Sequence, residues 1–405
     1  MSNARQPEGR LMVMTTSHET IGAFFEHQLP FFASQGFKVL AVSSPGPGLD
    51  KLRIPGAVEV QGVAMERRPR PARDLASLIA LRKVVASFRP HIVHAHTPKA
   101  GLLGMLAAAL SGVPVRLYTL HGLPLLTRTG WRRYSLKFPE RLACRLSTRT
   151  YCISPSLESL VREMKLCSPD KLFTPGDGSC AGVDLERFNP SPDALALRHS
   201  FRSARGIPPD ATLLCYVGRV AKDKGIEVLA AAWKELSRKF SALDLLICGV
   251  CDSTDPVPAA VLASLRGDPR VHLTGGWLTA SQMPSVYAAA DISVLPTFRE
   301  GLSQVALESS AMQVPLVGTR IPGLVNAIQD EVTGLLVSPG DPQALAQAIG
   351  RLVEDKALRN RLGKAGREFV GARFSEARVN NLYLNEYRNL LGRARLAEPG
   401  EPVTI

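Results

Sequence analysis

Long apolar runs, paired metal-spaced cysteine motifs and an Asp-X-Asp triplet are all missing from this chain of 405 residues. No uninterrupted apolar segment reaches the roughly 18 to 20 residues that span a bilayer. The best candidate, residues 101–110, has the length of a core helix and stops at Ser111-Gly112. At the N-terminus Arg5, Glu8 and Arg10 precede an apolar stretch of only strand length, which does not read as a secretory signal. The seven cysteines, Cys144, Cys152, Cys167, Cys180, Cys215, Cys248 and Cys251, are odd in number, so they are read as reduced thiols of a cytosolic protein. Carboxylates are also scarce against cations: 36 Asp+Glu face 49 Lys+Arg, a net charge of +13.

That charge is uneven. Residues 1–190 hold 25 Lys+Arg against 14 Asp+Glu, whereas the remainder holds 24 against 22. Its densest part is residues 128–149, where Arg132, Arg133, Lys137, Arg141, Arg145 and Arg149 interleave with Trp131, Tyr134 and Phe138. Basic residues among aromatics suit an anionic membrane surface or a lipid diphosphate, and equally a solvated helix face. No DNA- or RNA-binding motif accompanies the charge, so nucleic acid is not an expected partner.

Apolar residues at 45% and charged residues at 21% are ordinary for a globular protein, and the length fits two or three domains. Strand patterns fall at residues 10–15, 38–42, 92–95, 115–119 and 150–153, with helical patterns at 24–34 and 75–88 between them. A second series follows at 213–217, 244–248, 271–274, 292–295 and 316–319. Such alternation predicts an α/β protein with two parallel sheets, each covered by helices, and a cleft between the two units. Ser375 is read as the N-cap of a last helix carrying Val379, Leu382, Tyr383, Leu390 and Leu391 at helical spacing.

The chemistry concentrates in Glu300-Gly301-Leu302-Ser303-Gln304-Val305-Ala306-Leu307-Glu308. A strand at 292–295 followed by a loop and a helix opening at Gly301 would offer backbone N–H groups to an anion, with Glu300 before the helix and Glu308 about two turns inside it. Carboxylates at a strand end suit sugar hydroxyls, because each is acceptor-only and takes two O–H bonds. Paired carboxylates also serve a glycosidase, which needs them roughly 5 to 10 Å apart across one bond. Arg219 and Lys224 follow the strand at 213–217, where open sheets present ligands, and Arg takes phosphate oxygens bidentately. Lys222 could stand in for either. His121 follows the strand at 115–120 and should point out of its end. His94 and His96 are read as facing opposite sides of their strand. Thr97-Pro98-Lys99 either lines a site or forms an ordinary turn.

This spacing resembles the glutamate pair of the retaining glycosyltransferases of family 4. Val217-Gly218-Arg219 with Lys224-Gly225 resembles that family's Gly-Arg and Lys-Gly pair, and Gly182-Val183-Asp184-Leu185-Glu186-Arg187-Phe188 resembles its interdomain signature. His94-Ala95-His96-Thr97-Pro98-Lys99-Ala100-Gly101 and Thr119-Leu120-His121-Gly122 are similar to members that build capsular, exopolysaccharide or lipid-linked glycans. The resemblance implies a GT-B fold with two Rossmann-like domains: residues 1–190 for the acceptor, completed by a helix at about 376–405, and 191–375 for the nucleotide sugar. It implies Arg219, Lys224, Glu300, Gly301, Leu302, Ser303 and Glu308 at the donor, His121 and Glu300 at the reacting centre, and Thr16, Thr97, Lys99, Arg132, Arg133 and Lys137 on the acceptor or membrane side.

The expected activity is metal-independent, cofactor-free, retaining hexosyl or N-acetylhexosaminyl transfer from a nucleotide diphosphate sugar, most simply a UDP-sugar, to a lipid-linked or polysaccharide precursor. The expected location is peripheral, on the cytoplasmic face of the inner membrane. A nucleotide-sugar epimerase of similar fold and a non-catalytic partner subunit are the alternatives. Two departures from the family stand out. Thr15-Thr16-Ser17-His18 replaces a Gly-Gly loop after the first strand, and Arg320-Ile321-Pro322-Gly323 replaces a Gly-Gly and Pro-Glu segment.

Overall fold

A computed structural model of the chain describes residues 8–127, 130–191, 193–276 and 278–397, with the backbone path alone at 131–133 and 395–397. The chain divides into two compact units, one of residues 1–181 with 378–405 and one of residues 182–377.

The first unit holds a parallel sheet of β1 (Gly9–Met14), β2 (Phe37–Ser43), β3 (Val58–Gly62), β4 (Ile92–His96), β5 (Val115–Leu120), β6 (Arg149–Cys152) and β7 (Leu172–Phe173), in the order β3-β2-β1-β4-β5-β6-β7. The central strands read as near-continuous apolar runs because helices cover both faces of the sheet. In β1, for instance, Leu11, Met12, Val13 and Met14 are all buried. The last helix, Glu376–Ala397, supplies Val379, Tyr383, Leu384, Tyr387 and Leu391 to the same core as Leu11, Phe32 and Phe37. Tyr387 meets Phe32 edge-on at 5.0 Å between ring centroids. Ser375 closes the preceding helix, Lys356–Phe374, and makes a bridge to Val183.

The second unit holds β8 (Thr212–Val217), β9 (Leu243–Cys248), β10 (Val271–Leu273), β11 (Ile292–Leu295), β12 (Leu316–Thr319) and β13 (Gly334–Val337), again all parallel, in the order β10-β9-β8-β11-β12-β13. Both sheets therefore reverse their strand order once, between β1 and β4 and between β8 and β11. Loops leaving the carboxyl ends at such a reversal diverge, and in open parallel sheets ligands bind just outside those ends. This point of topology positions the residues of interest.

Several local expectations change. The helical pattern at 24–34 is two helices, His18–Phe24 and Gln28–Ser34. Pro30 lies in the first turn of the second, where its missing N–H is tolerated, and it could not have continued the first. Strands β3, β7 and β13 had no expectation: β3 alternates buried and exposed residues, β7 has two residues, and β13 is four residues starting at a glycine. The division between the units falls after Ala181, ahead of residue 190. The physical reason is that Val183 donates to Phe374 O and accepts from Glu376 N, which ties residues 182–188 to the second unit.

One buried charge site makes the first unit pH-sensitive. Glu140, on the helix Gly130–Leu146, accepts a 2.7 Å bond from the Tyr118 hydroxyl. Burial pushes its carboxyl from 4.5 up to about 7, against a smaller lowering by the Tyr118 bond. The folded state thus keeps a proton that the unfolded state releases. Its stabilising contribution is complete below about pH 4.5 and is lost as pH rises through 7. Glu140→Gln is expected to gain roughly 2–3 kcal/mol relative to the parent between pH 5 and pH 8. Urea unfolding of both proteins across that range checks this, and a difference independent of pH would refute it.

Candidate active site

In the second unit the site begins where β8 and β11 end. Val217 leads through Gly218 to Arg219, and Leu295 leads through Pro296 and Thr297 to Arg299 and Glu300. Lys224 Nζ lies 2.5 Å from Glu300 Oε1, with both side chains largely covered. Gly225, at φ +72°, makes this approach possible, since a Cβ there would stand 1.9 Å from Pro296 O. Lys222, three residues after Arg219, is exposed and does not compete for this position.

Arg219 bonds Asp223 through Nη2 at 3.0–3.2 Å and pairs through Nη1 with Asp252. Arg299 Nη2 reaches the same Asp223 carboxylate at 2.7 Å. Burial opposes the charge of Asp223, but the Arg299 bond and the charges of Arg219, Arg299 and Lys224 outweigh it and hold the carboxyl below its usual range. Three cations and three carboxylates thus share one strand-end cluster in the second sheet. Arg299, Asp223 and Asp252 were not singled out from the sequence. Their signals were an Arg and an Asp four residues apart and a cation next to Glu300, patterns too common to select by themselves.

The helix after Glu300 starts later than expected. It runs Gln304–Ala311 with Ser303 as N-cap, whose hydroxyl accepts from Ala306 N at 3.3 Å. Glu308 is therefore little more than one turn inside it, and Gly301 and Leu302 belong to the loop. The capping side chain explains the shift, because Ser303 satisfies an orphan N–H and the backbone before it turns extended. Glu308 Oε2 accepts a 3.1 Å bond from the Tyr287 hydroxyl. Burial pushes the Glu308 carboxyl up to about 7, offset in part by bonds from Gln304 and Tyr287. Gly323, at φ +88°, brings the loop after β12 onto Gly301, whose O would lie 2.6 Å from a Cβ there.

In the first unit Thr16, Thr97 and His121 stand at the ends of the adjacent strands β1, β4 and β5. Thr97 Oγ1 lies 2.7 Å from Thr16 Oγ1 and accepts from Thr16 N at 3.1 Å. His121 Nε2 lies 2.9 Å from His96 Nδ1. The expectation that His94 and His96 face opposite sides is wrong: their rings lie 4.1 Å apart. Strand side chains repeat every two residues, so positions 94 and 96 share one face. Burial drives His121 down to about 4 and His94 to about 3, and takes His96 well below its ordinary value, so all three are neutral at pH 7.

Lys99 is committed elsewhere, 2.6 Å from Asp74 and largely covered. Lys137 is half-buried on the helix Gly130–Leu146, whose Tyr134 and Phe138 are 73% and 70% exposed. Arg128 and the side chains of Trp131, Arg132 and Arg133 lie outside the described residues. Among the described residues no helix is long and apolar enough to cross a membrane.

Residues 20–174 match a family described as glycosyl transferase 4-like domain, and residues 211–355 match glycosyl transferases group 1. The chain is 31% identical over 348 residues to the capsular polysaccharide biosynthesis glycosyltransferase CapM of Staphylococcus aureus, covering 86% of this chain and 89% of that one. This protein belongs to the group 1 glycosyltransferases. The enzyme is also 27% identical over 290 residues to the UDP-Gal:alpha-D-GlcNAc-diphosphoundecaprenol alpha-1,3-galactosyltransferase of Escherichia coli, covering 71% of this chain and 72% of that one. Among solved structures it matches sucrose-phosphate synthase from Thermosynechococcus elongatus with a TM-score of 0.80 at 22% identity, covering 95% and 100% of the two chains. It matches Anabaena HepE, solved in complex with UDP-glucose, with a TM-score of 0.78 at 16% identity, covering 94% and 100%. At those identities the two structures establish the fold alone, which is GT-B.

The glycosyltransferase should respond sharply to loss of the Gly225 contact. Gly225→Ala adds left-handed strain and a collision with Pro296 O, an expected cost of roughly 2–4 kcal/mol. Urea denaturation monitored by tryptophan fluorescence measures it, and a variant as stable as the parent would contradict the interlocked loops.

Proposed function

We propose that the enzyme transfers a sugar, with retention of anomeric configuration, from a uridine diphosphate sugar to a hydroxyl of a lipid-linked glycan precursor. The carrying observation is the Lys224–Glu300 pair beside Arg219 at the strand-order reversal of the second sheet. The donor class draws support from the E. coli relative, which acts on UDP-Gal, and from the UDP-glucose held by HepE. That same relative's diphosphoundecaprenol acceptor and the capsular role of CapM support the acceptor class.

In this reading Arg219 and Lys224 neutralise the diphosphate as the glycosidic bond breaks, a task that protein cations perform without a metal. Glu300, already bonded to Lys224, accepts from sugar hydroxyls, and the loop at Gly301, Leu302 and Ser303 brings backbone close to the donor. Glu308 takes the ribose hydroxyls. His121 touches the sugar near the reacting carbon. The acceptor oxygen bonds the anomeric carbon on the face from which the diphosphate departs, and the acceptor proton passes to a phosphate oxygen. Asp223 and Asp252 hold Arg219 in place, so they act as positioning residues.

Thr16 and Thr97 fall on the acceptor side. The exposed Tyr134 and Phe138, with Lys137 and Arg141, form a face for anionic lipid at the cytoplasmic surface of the inner membrane.

Glu300→Ala and Arg219→Ala are each expected to lower kcat by about 100-fold or more while leaving the circular dichroism spectrum unchanged. Near-parental transfer by both variants would sink the assignment. Incubating the enzyme with a nucleotide sugar and no acceptor separates the epimerase alternative, which alone would yield an epimerised nucleotide sugar. Binding to anionic vesicles is expected to weaken strongly between low and high salt. Sedimentation that does not change with salt would remove the membrane role of the basic face.

A further inference from the structure

A line of buried polar side chains crosses the first unit from its C-terminal helix to the end of β5. The Tyr387 hydroxyl lies 2.7 Å from His94 Nδ1, and His94 Nε2 lies 2.6 Å from Thr119 Oγ1. Both nitrogens of His94 are thereby occupied. Its ring lies against that of His96, whose Nδ1 meets His121 Nε2 at 2.9 Å. His96 Nε2 is buried with no partner among the described residues. The Phe25 ring packs 4.6 Å from the His96 ring, which adds an apolar wall without a lone pair.

A neutral imidazole carries one N–H and one lone pair. With both rings uncharged, a single hydrogen occupies the contact between His96 and His121, and its position fixes both tautomers. If His121 Nε2 held it, His96 would have to bury an N–H on Nε2 with no acceptor. If His96 Nδ1 holds it, only a lone pair is left unpaired at Nε2. Orphaned buried N–H groups are the rarer of the two defects in proteins. We infer that His96 is a positioning residue that donates through Nδ1 to His121 and so locks His121 as the Nδ1–H tautomer.

The consequence is chemical. His121, half-buried, then offers a neutral N–H donor on its free edge and cannot act as a proton acceptor there. For the transfer reaction this makes His121 a hydrogen-bond donor to a substrate oxygen. That consequence rests on the reading of His121 as a substrate contact, whereas the tautomer lock does not.

Long-range proton–nitrogen correlation spectra of the full chain, labelled with nitrogen-15 histidine at pH 7, test the lock. Its eight histidines are assigned by single substitution. The expected pattern has His121 Nδ1 protonated and Nε2 bare. His96→Phe is expected to release the lock, moving His121 Nε2 toward the protonated position, whereas His96→Asn, with an amide N–H near the place of Nδ1, retains the parental pattern. An Nε2-protonated His121 in the parent, or a His121 pattern unchanged by His96→Phe, overturns the proposal. In transfer assays His96→Phe should lower kcat about tenfold with little change in donor KM, and His96→Asn should recover most of it. If His121→Ala transfers normally, the substrate role of His121 fails on its own, and the spectra still decide the lock.

Discussion

All strands of the two sheets run parallel, so their carboxyl ends, and the loops that leave them, emerge on one edge of each sheet. Everything proposed for the site depends on that constraint. Parallel strands need long crossovers, the crossovers are helices, and helices on both faces leave only the strand ends open to a polar ligand. Charged residues gathered on that edge must neutralise one another or face water. In the second sheet they do the former: Arg219, Lys224 and Arg299 are matched by Asp223, Asp252 and Glu300 across loops from β8, β9 and β11. Close backbone approach at Gly225 holds the β8 and β11 loops in contact, and at Gly323 it brings the β12 loop onto the β11 loop. The cluster is therefore a preorganised set of cations whose present partners are carboxylates.

The first sheet treats its own edge differently. There the strand ends carry hydroxyls and imidazoles, and burial keeps the imidazoles uncharged. Thr16 and Thr97 bond each other, and His96 and His121 bond each other, so the ends of three adjacent strands, β1, β4 and β5, are tied by short neutral contacts. The long last helix contributes Tyr387 to the same network through His94. A helix that fills the core thus also orders polar groups near the strand ends.

Much of this was legible in the chain. The alternation of apolar runs with helical patterns gave both parallel sheets, because strands covered on two faces must be apolar throughout. The segments around Arg219, Lys224, Glu300 and His121 carried the family. What escaped has physical causes. Strands β3, β7 and β13 are short or half-exposed, so their periodicity is weak. The helix of Glu308 begins at Gln304 because a serine hydroxyl caps it, and Gly301 marks a bend. The family resemblance implies Lys99 on the acceptor side, yet its charge is matched by Asp74, 25 positions away in sequence. No local pattern announces such a pair.

The sequence by itself determined the fold class, the family and the strand ends at which the charged and imidazole side chains sit, since periodicity and short motifs are local properties. Only the tertiary structure decided which of these groups meet. Lys224 pairs with Glu300, 76 positions on, while Lys222 remains in water; His96 meets His121, and Arg299 joins Arg219 at Asp223. The reason is that strand order reverses between β8 and β11 and places β5 beside β4. Those neighbours are set by the packing of whole helices on the sheets, which no stretch of sequence encodes alone.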